Sequence, residues 1–186
     1  MDKIDKLRIK MKEQNVDLII LSPGANLSWL LGINPHADER PLLFFLTLSG
    51  SAFLMPELEA ESARQHTEIE FYNWSDASGP SEAIDKILAD LQGFSYRTIV
   101  IDDTMRADHA ALVQDKLMNA NRIFTASNIG ALRMQKDATE QRILRANAHQ
   151  ADLAMHNAWN IIKPGLTEEY IACLLYTSDA ADDSIR

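Results

Sequence analysis

Cysteine is almost missing from this chain: Cys173 is the only one, so no intrachain disulfide can form and a reducing compartment is the natural expectation. Basic charge is also short, with 18 Lys and Arg against 27 Asp and Glu and a net charge of −9. Such a surface repels phosphate backbones and anionic lipid headgroups, which argues against nucleic acid or a membrane surface as partner. No long apolar run exists. The longest, residues 42–55, is broken by Ser49, Gly50 and Ser51 and bounded by Pro41 and Pro56, too short and interrupted to span a bilayer. The opening MDKIDKLRIKMKEQ has no apolar core of a secretion signal, so the cytoplasm is the expected location. Catalytic signatures are missing too: there is no HExxH, no GxSxG and no paired CxxC. Ser22-Pro23-Gly24 offers one glycine, too few for a phosphate-binding loop. Neither an internal repeat nor a low-complexity tract is present.

What remains is an ordinary globular composition, 46% hydrophobic and 24% charged over 186 residues, enough for one domain and the beginning of another. Residues 1–15 read as a helix, with Ile4, Leu7 and Met11 on one face. The continuous apolar run VDLIIL (residues 16–21) suits a buried strand. Asn26 is placed to cap a short helix that Gly32 ends. After the polar loop NPHADER come two strands, PLLFFLTL and SAFLMP, joined at Ser49-Gly50. Further on, residues 57–66 read as helix, 69–74 as strand, 82–91 as helix, 98–102 as strand, 107–118 as helix and 122–125 as strand. This alternation predicts an α/β fold with a mixed sheet flanked by helices, complete by about residue 127. Residues 128–136 are then expected as linker.

From residue 138 to 162 one long helix is predicted. Leu144, Ala148, Ala151, Met155, Ala158 and Ile162 form its apolar stripe, with Arg142, Arg145, His149, Asp152 and His156 opposite. Pro164-Gly165 stops it, and Thr167, Glu168 and Glu169 suit the start of another helix. A second domain therefore opens near Asp137.

Few residues invite chemistry. His149, Asp152 and His156 are metal-capable types on one face, but the two histidines lie about 10 Å apart along the axis, so a solvated face is the better reading. Asp102 and Asp103 end a strand, where α/β folds often place function, yet capping of the next helix by Asp103 or Thr104 explains that position as well. His36, Asp38, Glu39 and Arg40 crowd one loop. The residues present thus offer no catalytic set and no metal site.

The order of these elements resembles the creatinase/aminopeptidase P/prolidase family. The run DLIILSPGANLSWLLGINPHADERPLLFFL followed by FLMPELEAE is similar to its N-terminal domain. Arg133, Lys136, Glu140, Pro164, Gly165, Thr167 and Glu168 fall where the family's approach to its catalytic domain has R-x-x-K-x-x-x-E, a long helix and PG-x-[TS]-E. The resemblance spans residues 4–172. It implies a creatinase-type N-terminal domain followed by the truncated start, residues 137–172, of a pita-bread catalytic domain. For the parent it implies a homodimeric Xaa-Pro aminopeptidase or dipeptidase acting on proline-containing peptides, with two divalent metal ions (Mn, Co or Zn) held by two Asp, one His and two Glu. All five ligands would lie beyond residue 172, so this chain is expected to be inactive as given. Arg40 and His36 are the substrate-side residues the resemblance suggests here. A creatinase-like amidinohydrolase and a non-catalytic interaction module are the alternatives.

The ending breaks the pattern. From Cys173, CLLYTSDAAD resembles the in-frame translation of a transposase end and its library adapter, so residues 173–186 are expected to be non-native. Asp179, Asp182 and Asp183 are then no metal ligands. Sequencing the source DNA past the codon for Ala172, with a chemistry that avoids the transposase end, should return a reading frame carrying the five ligands in family order. Genomic codons for CLLYTSDAAD followed by a stop would refute the adapter origin.

Overall fold

The computed structural model describes residues 2–65 and 67–173. The stretch expected as a non-native tail therefore lies, after Cys173, outside the described residues. The chain divides into two compact units after Met134.

The first unit opens with α1 (Lys3–Gln14), capped by the Asp2 carboxylate on the Lys3 N–H. Asn15 closes it in the left-handed conformation (φ 53°), a geometry that asparagine tolerates because its short polar side chain offsets the strain. Next come β1 (Leu18–Leu21), α2 (Ala25–Leu31), β2 (Leu43–Thr47), β3 (Ser51–Pro56), α3 (Glu57–Ala63), β4 (Glu70–Trp74), α4 (Ser81–Asp90), β5 (Thr98–Ile101), α5 (Ala107–Gln114), β6 (Asn121–Phe124) and α6 (Ile129–Met134). Gly32 ends α2 with φ 73°, a conformation that costs glycine little.

The strands form one mixed sheet in the order β4-β3-β2-β1-β5-β6. β2 pairs antiparallel with both β1 and β3, whereas β1–β5, β5–β6 and β3–β4 pair parallel. Five strands thus run one way and end at one edge, and β2 alone starts there. A strand's side chains alternate between faces, and here both faces are covered. Leu18, Ile20, Leu43, Phe45, Ala52, Leu54, Ile99 and Ile101 point to one side, where Ile84, Ile87 and Leu88 of α4 and Val113 of α5 meet them. Ile19, Leu21, Phe44, Leu46, Phe53, Met55 and Val100 point to the other, against Leu7 and Met11 of α1, Leu27 and Leu30 of α2, and Ile129 of α6. The expected α/β architecture and all six expected strands are present. Helix α6 is an addition, and it lies within residues read from sequence as linker.

The second unit is dominated by α7 (Ala138–Ile161). Asp137 accepts from the Thr139 and Glu140 N–H groups, both at 2.9 Å, while Glu140 accepts from the Asp137 N–H at 3.0 Å. This reciprocal capping box explains why the helix begins where it does. Leu144 and Met155 of its apolar stripe are exposed, as are His149, Asp152 and His156. Among the described residues no helix is long and apolar enough to cross a membrane.

Phe53 sits at the centre of an aromatic stack, its ring 4.9 Å from Phe44 and 5.6 Å from Phe71. Phe53→Ala should therefore lower unfolding free energy by about 3–5 kcal/mol in urea titration, because transfer and cavity costs add. Met118→Ala, at a side chain 75% exposed, should stay within about 0.5 kcal/mol.

Candidate functional site

In an α/β sheet the carboxyl ends of parallel strands open a crevice, because the chain leaves neighbouring strands towards different layers. Here that edge gathers the loop after α2, the turn after β4 and the start of α5. The loop before β2 is fixed by three tethers from three elements. The Trp74 indole Nε1 donates to the Pro41 carbonyl at 3.0 Å in a buried contact. His109, on the buried face of α5, holds the Glu39 carbonyl at 3.2 Å. A carbonyl only accepts, so Nε2 must carry the proton. The Arg40 guanidinium grips Asp76 at two points, Nε to Oδ1 at 3.0 Å and Nη2 to Oδ2 at 2.8 Å.

Within the loop, Asp38 accepts from the Arg40 backbone N–H at 2.8 Å, the two-residue turn that aspartate favours. Its charge and its neighbours' make a mixed field. Burial, then the nearby Asp38 carboxylate, pushes the Glu59 carboxyl up, and Arg40 and His36 pull it back. Hydrogen bonding to Arg40 holds the Asp76 carboxyl below its ordinary range, and the same contact keeps Arg40 more firmly charged. Next to the loop, Arg106 hydrogen-bonds Asp108 and holds its carboxyl down at about 2. Arg106 also lies within electrostatic reach of Glu39 and Asp38.

The loop residues named from sequence thus fall in one place, in different states. His36 is exposed. Arg40 is one-third exposed, with Nε and Nη2 committed to Asp76 and Nη1 the remaining face of its fork.

Two expectations fail at this edge. Asn26 does not cap α2: Gly24 holds that position without a side-chain bond, and the Asn26 side chain is turned inward to Asp102 at 3.0 Å. Neither Asp103 nor Thr104 caps α5, which begins after Arg106. Their side chains bond instead to Thr125 and to Asp102. For Asn26 a distant buried partner outcompetes the local cap, whereas Asp103 turns to Thr125 and Thr104 to the neighbouring Asp102.

Residues 3–135 match the creatinase/prolidase N-terminal domain. This chain belongs to that family. It is 24% identical over 174 residues to an Xaa-Pro dipeptidase of Lactobacillus helveticus, covering 91% of this chain and 47% of the relative. The chain spans about half the length of the curated relatives it matches. Among solved structures, a dipeptidase from Pyrococcus horikoshii OT3 superposes with a TM-score of 0.82 at 26% identity, over 95% of this chain and 49% of that one. The creatinase/prolidase N-terminal domain of an X-Pro dipeptidase from Streptococcus pyogenes matches with a TM-score of 0.58 at 22% identity, over 66% of this chain and 92% of that one.

The family match runs through α6 and its Arg133, past the boundary read from sequence. Sequence reasoning also missed Asp76, His109 and Glu59 as partners of the loop. Only for His109 was a signal present: it stands four residues before Val113, on the helix face that is buried.

An acidic group held below its unfolded-state pKa lends stability above the ordinary carboxylate range and loses it as pH falls through the folded value. The Arg106–Asp108 pair should therefore open only as pH drops towards about 2. In a carbon-13 titration, Asp108 should show that low midpoint, and Arg106→Gln should raise it towards an ordinary aspartate. An Asp108 midpoint that Arg106→Gln leaves in place would assign the depression to another cause.

Proposed function

We propose that this chain is the N-terminal portion of an Xaa-Pro dipeptidase, the class of enzyme that hydrolyses the amide bond before proline. Its own contribution is to present the residue 36–40 loop on the substrate side, with His36 and the free face of Arg40 as the groups that meet a proline-containing peptide. What supports this reading is the loop itself. Trp74 and His109 hold two of its backbone carbonyls and Asp76 holds the Arg40 guanidinium, while His36 stays at the surface. A loop tethered in that way offers charge at a fixed place and loses little entropy on meeting a ligand. The parent is proposed to be a cytoplasmic homodimer.

Dinuclear hydrolysis needs several carboxylates and an imidazole converging on one point. The described residues do not fit it: no three His, Cys, Asp or Glu side chains come together to hold an ion. Asp102 and Asp103, the two carboxylates that follow β5, are engaged by Asn26, Thr104 and Thr125. We place the two metal ions proposed for the parent enzyme on residues other than those described.

The 186-residue chain, incubated with Mn²⁺ and a Leu-Pro dipeptide, should release no proline above the metal-only blank. Titration calorimetry with Mn²⁺ or Zn²⁺ should show no stoichiometric submicromolar binding. Metal-dependent proline release by this chain would place the hydrolytic groups inside it and overturn the assignment.

A further inference from the structure

At the switch between β1 and β5, the sheet's carboxyl edge carries a second polar cluster that the loop does not use. Asp102 is 2% exposed, Asn26 5%, Thr125 2% and Asn128 0%. Asn26 Nδ2 donates to Asp102 Oδ1 at 3.0 Å and to Thr125 Oγ1 at 3.4 Å. On its other side, Asn26 Oδ1 accepts from Nη1 of Arg133, in α6. The Thr125 hydroxyl donates to Asp103 Oδ1, and Asp102 Oδ1 also accepts from the Thr104 N–H and hydroxyl, at 3.2 and 3.0 Å. The bonds through Asn26 run in one sense, from the guanidinium to the amide and on to Asp102 directly and to Asp103 by way of Thr125.

That sense fixes the amide. A carboxylate only accepts and a guanidinium only donates, so flipping Asn26 would set N–H against N–H and oxygen against oxygen. We propose that Asn26 is a polarity-inverting latch, one amide through which the acidic end of β5 holds the cationic end of α6, so that the rigid body of the domain extends through Met134.

The case rests on what else could hold α6. Six residues are too few for a helix to persist alone. Its apolar anchors are Ile129, fully buried at the first residue, and Leu132, half-buried against the same core; the Asn128 side chain accepts from the Ile129 N–H at 2.8 Å. At the other end Met134 is 74% exposed, and Arg133 reaches back to Asn26 of α2. Gly130 permits the close approach: a Cβ there would stand 3.0 Å from the Thr125 carbonyl oxygen. An aspartate at position 26 would put three carboxylates against one arginine. A leucine would strip Arg133 of its acceptor and Asp102 of its amide donor.

Hydrogen exchange on the full chain tests this. Asn26→Leu and Arg133→Met should each lower amide protection in α6 at least tenfold and leave α4 unchanged. The double variant should be no worse than the worse single one, because both remove the same link. Arg133→Lys, which keeps a donor, should recover most of the loss. If Asn26→Leu fails to fold, Arg133→Met alone decides, since that side chain is only part-buried. Undiminished α6 protection in Arg133→Met, additive losses in the double variant, or an equal loss across α4 would each overturn the latch.

Discussion

Everything in this domain depends on a sheet whose centre has no solvent side. In β1, β2, β3 and β5 successive residues feed opposite cores, so a one-residue slip in register would exchange every contact on both faces at once. That constraint holds the sheet in a single alignment, and the alignment determines which groups meet at its carboxyl edge. The polar residues there have no freedom to choose partners: Asn26 finds Asp102 because β1 lies beside β5. Likewise Arg40 finds Asp76 because β2 and β4 flank β3.

Two arrangements at that edge use charge differently. Around the loop, the ion pairs are exposed and screened, and their worth is geometric; a two-point Arg40–Asp76 contact sets direction more than stability. At the latch, Asn26, Asp102 and Thr125 are buried, where each satisfied bond counts for more and each missing one costs more. One arrangement positions a surface, the other ties an element to the body.

How far this was legible in the sequence follows from the same distinction. Buried strands such as LIIL and LFFLT are unbroken apolar runs between turn residues, and such runs need no tertiary knowledge to read. Helix α7 announced itself through its long apolar stripe. Helix α6 did not, because six residues containing a glycine carry no period, and its cap, Asn128, reads as loop. At the candidate site the residue types were visible but their pairings were not. His109 and the Glu39 carbonyl are 70 residues apart, and Arg40 and Asp76 are 36 apart. Local chemistry gave Asn26 a plausible job as a cap; topology gave it a better one.

The position of β1 in the sheet has a consequence for how the chain acquires its shape. On one side β1 pairs with β2, which follows closely and is already drawn into a hairpin with β3. On the other side its partner is β5, so Ile19 must wait for Val100. Made from the N-terminus, the chain would hold an apolar strand with one open flank while roughly the next half of the domain is synthesised. Non-local closure of this kind is slow, and an open apolar flank is what holdase chaperones bind. Nascent chains of this fold are thus most exposed to aggregation before β5 emerges, and quiescent once it has docked.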